Sequence, residues 1–381
     1  MKKKVLFIIP NHTHGGTNRS LQNIISVLDK EKYDIYIYSI TVGGFYEDVF
    51  KEFQLSRGTL MSIFFCRSIM HKIFNYIDNK YFGKKLSNLL FCHEAHSVEK
   101  RISVDMVVAF QEGSATRLGY YFNSRMKLAW VQCDYSLYHK LKKPDLSIEA
   151  KLYSSYNKIV CVSNCTAMAM KRFFPKLSDR ISFVYNLIDV NEVKKLSEEI
   201  IIDNCFSETS FTIVSIGRFS SVKRFSFIPH LVKEILNNVH NKNFKWFIIG
   251  PEGGGEYNKT KDNIIKYEVS NNVILLGRKD NPYPYIKRAN LIVCLSESES
   301  WSYVLNEAIL FHVPVLTTNF DAAYEVVSKE NGIITDINSI GLELCKLINN
   351  TDGCYSRLKQ SSLKFGYSNN IAISQLNMTL E

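Results

Sequence analysis

The stretch from residue 289 to residue 318 restricts the fold more than any other part of the sequence. Residues 291–295 form a short apolar run of the kind found in buried parallel strands. A loop of small and acidic residues follows, and an apolar helical pattern then ends ahead of Pro314 and a second apolar run. This order predicts part of an α/β fold, with the loop at the carboxyl end of a strand. Open α/β sheets bind their ligands at that edge.

Two carboxylates lie in this loop or shortly after it. Glu299 lies within it, and Glu307 follows eight positions later in the helical pattern. Carboxylates accept hydrogen bonds from sugar hydroxyls, and the free amides at a helix start are suited to a phosphate. The alternative is that Glu299 caps the helix and Glu307 lies on its solvated surface. The spacing alone leaves both interpretations open.

The alternation of apolar runs with helical or loop segments continues along the rest of the chain. Further apolar runs lie at residues 5–9, 33–40, 105–110, 127–131, 158–162, 181–185, 212–216, 245–250 and 273–277. This pattern predicts an α/β protein with two doubly wound domains. The domains are expected at residues 1–190 and 211–355, joined by a charged and polar connection at 191–210. Residues 356–381 are expected to be helical and to pack back on the first domain.

Two loops that follow predicted strands contain residues suited to a phosphate or a sugar. Gly15 and Gly16 follow the first strand and permit close approach of the backbone to a ligand, although a plain turn is the simpler explanation. Gly217 ends a later strand, and Arg218 and Lys223 frame the turn after it. Two cations in this position are suited to binding a diphosphate through charge-assisted hydrogen bonds. The alternative is a pair of surface cations with no role.

Residues 296–315 resemble the E-x7-E region of retaining family 4 glycosyltransferases, which are glycosyltransferases of group 1 type. That region often reads S-x-x-E-G-F-G-x-V-x-x-E-A, followed by G-x-P-V. In this chain Ser300 and Ser302 replace the two glycines around Trp301, and His312 replaces the later glycine. The loop is therefore a variant of the family pattern.

The resemblance also implies roles for individual residues. The turn after Gly217 matches the family motif G-R-x-x-x-x-K, whose two cations stabilise the leaving nucleoside diphosphate. Arg218, Lys223 and Glu299 are therefore implied as catalytic residues, with Glu299 orienting the sugar hydroxyls. Glu307 is implied to hold the ribose. The implied donor-binding residues are Gly15, Gly16, Gly217, Arg278, Ser300, Trp301, Ser302, Tyr303 and Glu307.

An acceptor-side segment is implied at residues 127–135, which resemble the family pattern W-[IV]-H-x-D-[YF]. Gln132 stands where relatives commonly have His. Glutamine can hydrogen-bond a hydroxyl but cannot titrate, so an acid–base role at this position is lost. Asp134 is the candidate acceptor-side carboxylate, and a structural turn is its alternative.

The resemblance covers nearly the whole chain and implies the GT-B architecture, in which two Rossmann-like domains face a central cleft. It implies a retaining hexosyltransferase that uses a nucleotide-sugar, expected to be a UDP-sugar. The implied acceptor is a surface glycan, such as lipopolysaccharide or capsule, or its lipid-linked precursor. No metal or cofactor is expected, because the two cations neutralise the leaving group. Two alternatives remain open: a non-catalytic nucleotide-sugar-binding partner subunit, and a GT-B nucleotide-sugar epimerase.

Composition excludes several classes of protein and site. The formal net charge is +10, but no zinc-finger, RNP or basic-helix signature indicates nucleic acid. Anionic phosphates of a nucleotide-sugar, or an anionic membrane surface, are the better partners for this charge. The nine cysteines form no C-x-x-C pair, which disfavours zinc and disulfides. No apolar run approaches the roughly 20 residues that span a bilayer, so a cytoplasmic protein is expected.

The segment from Phe45 to Leu90 differs from the rest of the chain in being rich in aromatic and basic residues. Between residues 57 and 85 there are six Lys or Arg residues and one acid, Asp78. One apolar series at helical spacing consists of Ile63, Cys66, Met70, Ile73 and Ile77. Either this series faces the core of its domain, or it forms an interfacial helix that contacts anionic lipid on the cytoplasmic face of a membrane. Periodicity does not separate the two.

Overall fold

The computed structural model describes residues 2–13, 15–65, 69–81, 83–203, 206 and 210–381. The chain divides into two compact units. The first unit is Met1–Leu187 together with Asn370–Glu381, and the second is Ile188–Asn369. In the described parts of the chain, no helix is both long enough and apolar enough to cross a membrane.

The first unit contains a sheet of six parallel strands. They are β1 (Lys3–Ile9), β2 (Tyr33–Ser39), β3 (Met106–Ala109), β4 (Met126–Val131), β5 (Lys158–Cys161) and β6 (Ile181–Phe183). Their order in the sheet is β2-β1-β3-β4-β5-β6. Residues 5–9 are all 0% exposed, as expected for a central strand with both faces covered by helices. The predicted doubly wound α/β class is confirmed.

Nine helices of the described chain accompany this sheet. They are α1 (Gly16–Val27), α2 (Tyr46–Val49), α3 (Thr59–Phe64), α4 (Ile69–Tyr81), α5 (Lys85–Arg101), α6 (Ser114–Tyr120), α7 (Tyr135–Lys142), α8 (Leu146–Ser154) and α9 (Asn164–Phe173). Short 3-10 segments occur at Lys51–Phe53 and Pro175–Arg180. Trp130 is buried beside Phe110, with ring centroids 5.1 Å apart. These rings help to fill the space between the sheet and its helices.

The second unit repeats the plan with strands β7 (Phe211–Ile216), β8 (Phe244–Ile249), β9 (Val273–Gly277), β10 (Leu291–Cys294), β11 (Val315–Thr318) and β12 (Gly332–Thr335). All neighbouring strands are parallel, in the order β12-β11-β10-β7-β8-β9. Trp246 lies in the core, where its Nε1–H donates to Ser215 Oγ at 3.0 Å. The ring is therefore buried without leaving its N–H unpaired.

Its helices are α10 (Val190–Leu196), α11 (Ile228–Asn238), α12 (Gly255–Lys266), α13 (Tyr283–Arg288), α14 (Tyr303–Leu310), α15 (Ala323–Val326), α16 (Ile340–Asn349) and α17 (Cys354–Ser362). Short 3-10 segments occur at Ser221–Lys223, Phe225–Phe227 and Thr351–Gly353. The last helix of the chain, α18 (Asn370–Leu380), belongs to the first unit. There Lys3 Nζ donates to Leu380 O at 2.8 Å, and Lys158 Nζ donates to Thr379 O at 2.7 Å. Both lysines thus satisfy carbonyls at the carboxyl end of α18.

The observed division of the chain differs from the sequence-based one at two places. Residues 191–210 were expected to be a connection, yet the described part of this segment belongs to the second unit. Its charges make specific contacts there: Lys279 Nζ donates to Asp203 Oδ1 at 2.8 Å, and Lys287 Nζ donates to Glu198 Oε1 at 2.5 Å. Residues 356–369 also lie in the second unit, so only the remainder of the predicted C-terminal segment lies in the first.

The aromatic and basic segment is also divided differently from its sequence pattern. The series from Ile63 to Ile77 is split between α3 and α4. Ile63, Ile73 and Ile77 are 45%, 51% and 39% exposed, so these members of the series do not face the core. Phe64 and Phe74 pack against the core instead. Cys66 and the side chain of Met70 lie outside the described residues.

Candidate functional site

The carboxyl edge of the second sheet is held together by close backbone approaches. Gly217 N–H donates to Ile249 O at 2.9 Å, and Gly250 N–H donates to Gly277 O at 3.0 Å, so pairing continues beyond β7 and β8. A Cβ atom at Gly250 would lie 2.1 Å from Gly217 O. Only glycine at position 250 permits this approach. The close contact therefore explains why the sequence after β8 begins with glycine.

Lys223 and Glu299 meet at this edge. The 3-10 segment Ser221–Lys223 follows β7, and Glu299 lies in the loop after β10. Lys223 Nζ donates a hydrogen bond to Glu299 Oε1, and Ser296 Oγ donates to the same oxygen at 2.7 Å. The backbone joins the two loops as well, because Glu297 N–H donates to Val222 O at 2.8 Å. The two predicted residues are therefore brought together, with Ser296 as a contact that the sequence did not single out.

The charge of Lys223 is retained despite its surroundings. Its side chain is 23% exposed and that of Glu299 is 14% exposed. Burial lowers the pKa of Lys223, while the charge of the Glu299 carboxylate raises it, and the balance lies above the ordinary lysine value. Lys223 is therefore protonated at neutral pH. Burial also raises the pKa of the nearby Cys294 thiol, so this group stays neutral.

Arg218 differs from Lys223 in having no partner among the residues that the structure describes. It is exposed, and within the described residues its guanidinium makes no hydrogen bond and no ion pair. It nevertheless lies close enough to Lys223 to lower the pKa of that lysine through charge repulsion. One cation is thus partly neutralised by Glu299, while the other is available to an anion from solvent.

The helix α14 begins directly after the variant loop. Ser302 precedes it with extended backbone and no side-chain capping bond to the helix, and the first turn contains no acid. Its amides therefore point a partial positive charge toward the loop of Ser300 and Trp301. Tyr303 is the first residue of this helix, and both it and Trp301 are half-buried.

The structure also decides between the alternatives for the two carboxylates. Glu307 lies in α14 and is 1% exposed, so it is not on a solvated helix surface. Glu299 does not cap α14, because Ser302 occupies the cap position and Glu299 accepts from Lys223 and Ser296 instead. Both structural alternatives are therefore wrong.

Gly277 and Arg278 end β9 at the same edge. Gly277 has a φ of +67°, and a Cβ atom there would lie 2.8 Å from Glu252 Oε1. The Arg278 side chain turns to its own loop, where Nε and a terminal nitrogen donate to Asp280 Oδ1 at 2.9 and 2.7 Å. Its backbone, rather than its guanidinium, remains as the predicted contact.

In the first unit, Gly15 and Gly16 lie at the start of α1. A Cβ atom at Gly15 would have no neighbour within 4 Å in the described structure, and its φ of 163° is extended. Asn18 organises the loop before it by donating from Nδ2 to Thr13 O at 2.7 Å. Neither packing nor backbone strain therefore requires glycine at position 15.

Gln132 and Asp134 follow β4 and make local contacts. Gln132 N–H donates to Glu112 Oε2 at 2.9 Å. Asp134 caps α7 by accepting from the N–H groups of Ser136 at 2.8 Å and Leu137 at 3.4 Å. This capping is the structural role that the sequence left as an alternative. Glu112 was missed, and its signal was a Q-E-G sequence directly after a strand.

The metal-ligating side chains do not converge in the described chain. No three His, Cys, Asp or Glu residues of this part of the protein are placed to hold a metal ion.

Comparisons with known proteins identify similar sequences. The family model for glycosyl transferases of group 1 matches residues 197–350. An uncharacterized glycosyltransferase of Methanocaldococcus jannaschii is 28% identical over 173 residues, which is 44% of this chain and 41% of that relative. The amylovoran biosynthesis glycosyltransferase AmsD of Erwinia amylovora is 20% identical over 340 residues, or 89% of this chain and 87% of AmsD.

The fold has a close counterpart among solved structures. The crystal structure of Anabaena HepE in complex with UDP and glucose aligns with a TM-score of 0.72 at 16% identity. The alignment covers 99% of this chain and 98% of HepE. The group 1 resemblance seen in the sequence is thereby confirmed, while the family 4 subtype stays a prediction. Residues 197–350 thus match the group 1 glycosyltransferases, and the fold of the chain is GT-B.

Proposed function

We propose that the chain is a retaining glycosyltransferase that moves a hexosyl group from a UDP-sugar to a surface glycan or its lipid-linked precursor. The contact between Lys223 and Glu299, beside the unpaired Arg218, carries this proposal. Two cations and one carboxylate thus lie at the carboxyl edge of one sheet, an arrangement that supports the binding of a diphosphate and a sugar. The relative in amylovoran biosynthesis and the structure of HepE with UDP and glucose support the substrate classes.

The difficult step is the separation of an anionic diphosphate from a developing positive charge on the sugar. The bond between the anomeric carbon and the phosphate oxygen breaks, and its electron pair goes to that oxygen. Arg218, Lys223 and the first amides of α14 would stabilise the negative charge as it develops. A single preorganised donor of this kind contributes about 3–4 kcal/mol in the comparable oxyanion-hole case.

The carboxylates have positioning roles in this proposal. Glu299 already accepts two hydrogen bonds at one oxygen, from Lys223 and Ser296, which fixes its orientation. It would accept further bonds from the sugar hydroxyls, and Glu307 would accept them from the ribose. Neither carboxylate is assigned the role of a nucleophile. Gly15, Gly16, Gln132 and the backbone at Arg278 remain predicted substrate contacts.

Retention of configuration then follows from attack on the face that the diphosphate leaves. The acceptor oxygen forms its bond to the anomeric carbon, and the departing phosphate oxygen takes the acceptor proton. Gln132 cannot take this proton, because an amide does not titrate in the physiological range. In this proposal no metal is needed, since the two cations neutralise the diphosphate.

The first experiment measures thermal stabilisation by UDP, GDP, ADP and CMP. The wild type is compared with Arg218→Ala, Lys223→Ala and the matched control Lys259→Ala, which removes an exposed lysine of α12. Stabilisation by UDP that is lost in both site variants and kept in the control supports the proposal. Stabilisation by another nucleotide alone would reject the UDP-sugar assignment, and no stabilisation at all would reject the donor site.

A second measurement separates catalysis from binding alone. UDP release from a panel of UDP-sugars is followed with and without glycan acceptors, and the anomeric configuration of the product is read by NMR. The serines of the variant loop would suit a non-catalytic partner subunit. Such a subunit would be stabilised by UDP but would release no UDP from any of the UDP-sugars.

A further inference from the structure

Exposed apolar and aromatic side chains gather on α3 and α4 of the first unit. We call this surface the α4 face; its described apolar members are Leu60, Ile63, Ile73, Tyr76, Ile77 and Tyr81. On α4 they recur at positions 73, 76, 77 and 81, which is the spacing of one helix face. They are between 39% and 66% exposed. Soluble proteins seldom expose a contiguous apolar patch of this kind unless it binds a partner or a membrane.

The opposite side of the segment is packed firmly, so the exposure is not caused by loose attachment. The Phe74 ring lies 4.9 Å from Phe64 and 5.8 Å from Phe65, measured between centroids. Asp78, which is 2% exposed, accepts from the backbone N–H groups of Leu86 and Ser87 at 3.0 Å each. Ring packing and a buried carboxylate thus fix which side of α4 faces outward.

The exposed charged residues described within the segment 57–85 all have one sign. Lys72, Lys80, Lys84 and Lys85 are exposed, whereas the one acid between residues 57 and 85, Asp78, is buried. Lys80 Nζ donates to Tyr76 OH at 2.8 Å, and it lies 5.2 Å from the centroid of the Tyr81 ring. Lysine and tyrosine side chains are both apolar along their length and polar at the tip, so both are suited to the interface between a lipid bilayer and water.

We propose that the α4 face docks on the surface of an anionic lipid bilayer. Isoleucine and tyrosine side chains enter the headgroup boundary, and the surrounding lysines contact anionic headgroups. A second copy of the chain is the poorer occupant, because a twofold contact would bring the lysines of both copies together. This inference goes beyond the transfer reaction and does not depend on the identity of the donor.

The two kinds of contact predict separate losses of affinity. Each lysine near an anionic surface contributes about fivefold to vesicle affinity. The variant Lys72→Gln/Lys80→Gln/Lys85→Gln is therefore expected to bind on the order of a hundredfold more weakly. The variant Ile73→Ser/Ile77→Ser removes apolar contacts and keeps the charges. It is expected to lose affinity by at least tenfold, and this loss persists at high salt.

The experiment is co-sedimentation of the full chain, without donor, with vesicles of phosphatidylglycerol and phosphatidylcholine or of phosphatidylcholine alone. Matched control variants change residues of the second unit, on α12 and at positions 200 and 202. Lys259→Gln/Lys261→Gln/Lys266→Gln removes the same charge from another exposed helix. Ile200→Ser/Ile202→Ser removes two isoleucines that are 85% and 84% exposed. Circular dichroism and thermal unfolding without nucleotide report whether each variant is folded.

Binding to the anionic vesicles that falls with salt, and that both α4-face variants lose while both controls retain it, supports the proposal. Equal binding to both vesicle types, or unchanged binding in the α4-face variants, overturns it. A dimer that dissociates in those variants, with no vesicle binding in the wild type, would assign the face to self-association and also overturn it. Because no donor is present, these results are independent of the proposed transfer activity.

Discussion

The carboxyl edges of the two sheets use their charged side chains in different ways. At the edge of the second sheet, Lys223 and Glu299 come from different loops and meet each other, with Arg218 exposed nearby. At the edge of the first sheet, Asp134 caps the helix that follows it, and Gln132 is tied by its backbone to Glu112. The second edge therefore brings opposite charges of two loops together, whereas at the first edge the carboxylates of Asp134 and Glu112 accept from backbone N–H groups. We therefore expect the charged side chains of the second edge to determine the catalytic rate, and the side chain of Asp134 at the first edge to contribute to stability.

The largest expected effect tests the charges of the second edge. Arg218→Ala is expected to lower kcat for transfer by about 100-fold to 1000-fold, because one donor to the leaving diphosphate is lost. Arg218 is exposed and without a protein partner among the described residues, so the melting temperature should not change. Steady-state kinetics and a thermal melt measure the two quantities, and Lys259→Ala is the control. A rate within tenfold of the wild type would remove Arg218 from the mechanism.

The next effect concerns the backbone beneath those charges. Gly250→Ala places a Cβ atom 2.1 Å from Gly217 O, so the two loops must separate. We expect a loss of about 1–3 kcal/mol in the free energy of unfolding, together with weaker UDP binding. Gly15→Ala is the matched control in the first unit, where the added atom enters open space. Denaturant unfolding would contradict this account if both variants were equally stable.

A smaller effect tests the first edge. Asp134→Ala removes the side chain that caps α7, and we expect it to lower the free energy of unfolding by about 1 kcal/mol. Asp134→Asn retains a capping oxygen and should recover most of that stability. If Asp134→Asn is as stable as the wild type but loses transfer activity as severely as Arg218→Ala, the difference drawn between the two edges is wrong. Asp134 would then be an acceptor-side residue as well as a cap.

The sequence singled out the residues of the second edge because their signals are local. A glycine at the end of a strand, cations in the next turn and carboxylates around a helix start all lie within short segments. The meeting of Lys223 and Glu299 required the order of strands, since β7 and β10 are neighbours in the sheet but far apart in the chain. The same reason hid Glu112, which accepts from Gln132 N–H across two loops. Ser296 was missed although its partner Glu299 is only three residues away in the same loop.

Patterns of single residues were less informative where two environments share one periodicity. The isoleucines from 63 to 77 recur at helical spacing, and this spacing is the same for a buried face and an exposed one. The buried acid Asp78 and the packed phenylalanines determine which face is outward, and neither is visible as such in the sequence. The charged connection at 191–210 was misjudged for a related reason, because paired and solvated charges have the same composition.

The smallest effect concerns the competition between Glu299 and a phosphate for Lys223. Glu299→Gln removes the charge that most strongly raises the pKa of Lys223, so burial and the repulsion from Arg218 are less opposed and that pKa falls. In the neutral range, where Lys223 is still protonated, UDP should bind roughly threefold to tenfold more tightly, or about 0.6–1.4 kcal/mol. As pH rises, the variant should lose this binding earlier than the wild type, because its lysine deprotonates first.

Calorimetric titration of UDP across the neutral and alkaline range measures both parts of this prediction. The control is Glu297→Gln, which removes a neighbouring carboxylate of the same loop that pairs with Arg224 at 3.9 Å. Its affinity for UDP and its pH profile should match those of the wild type. Identical profiles for Glu299→Gln and the wild type would show that Lys223 does not contact the diphosphate. In that case Arg218 and the start of α14 would hold the donor alone, and the assembled pair would only join the two loops.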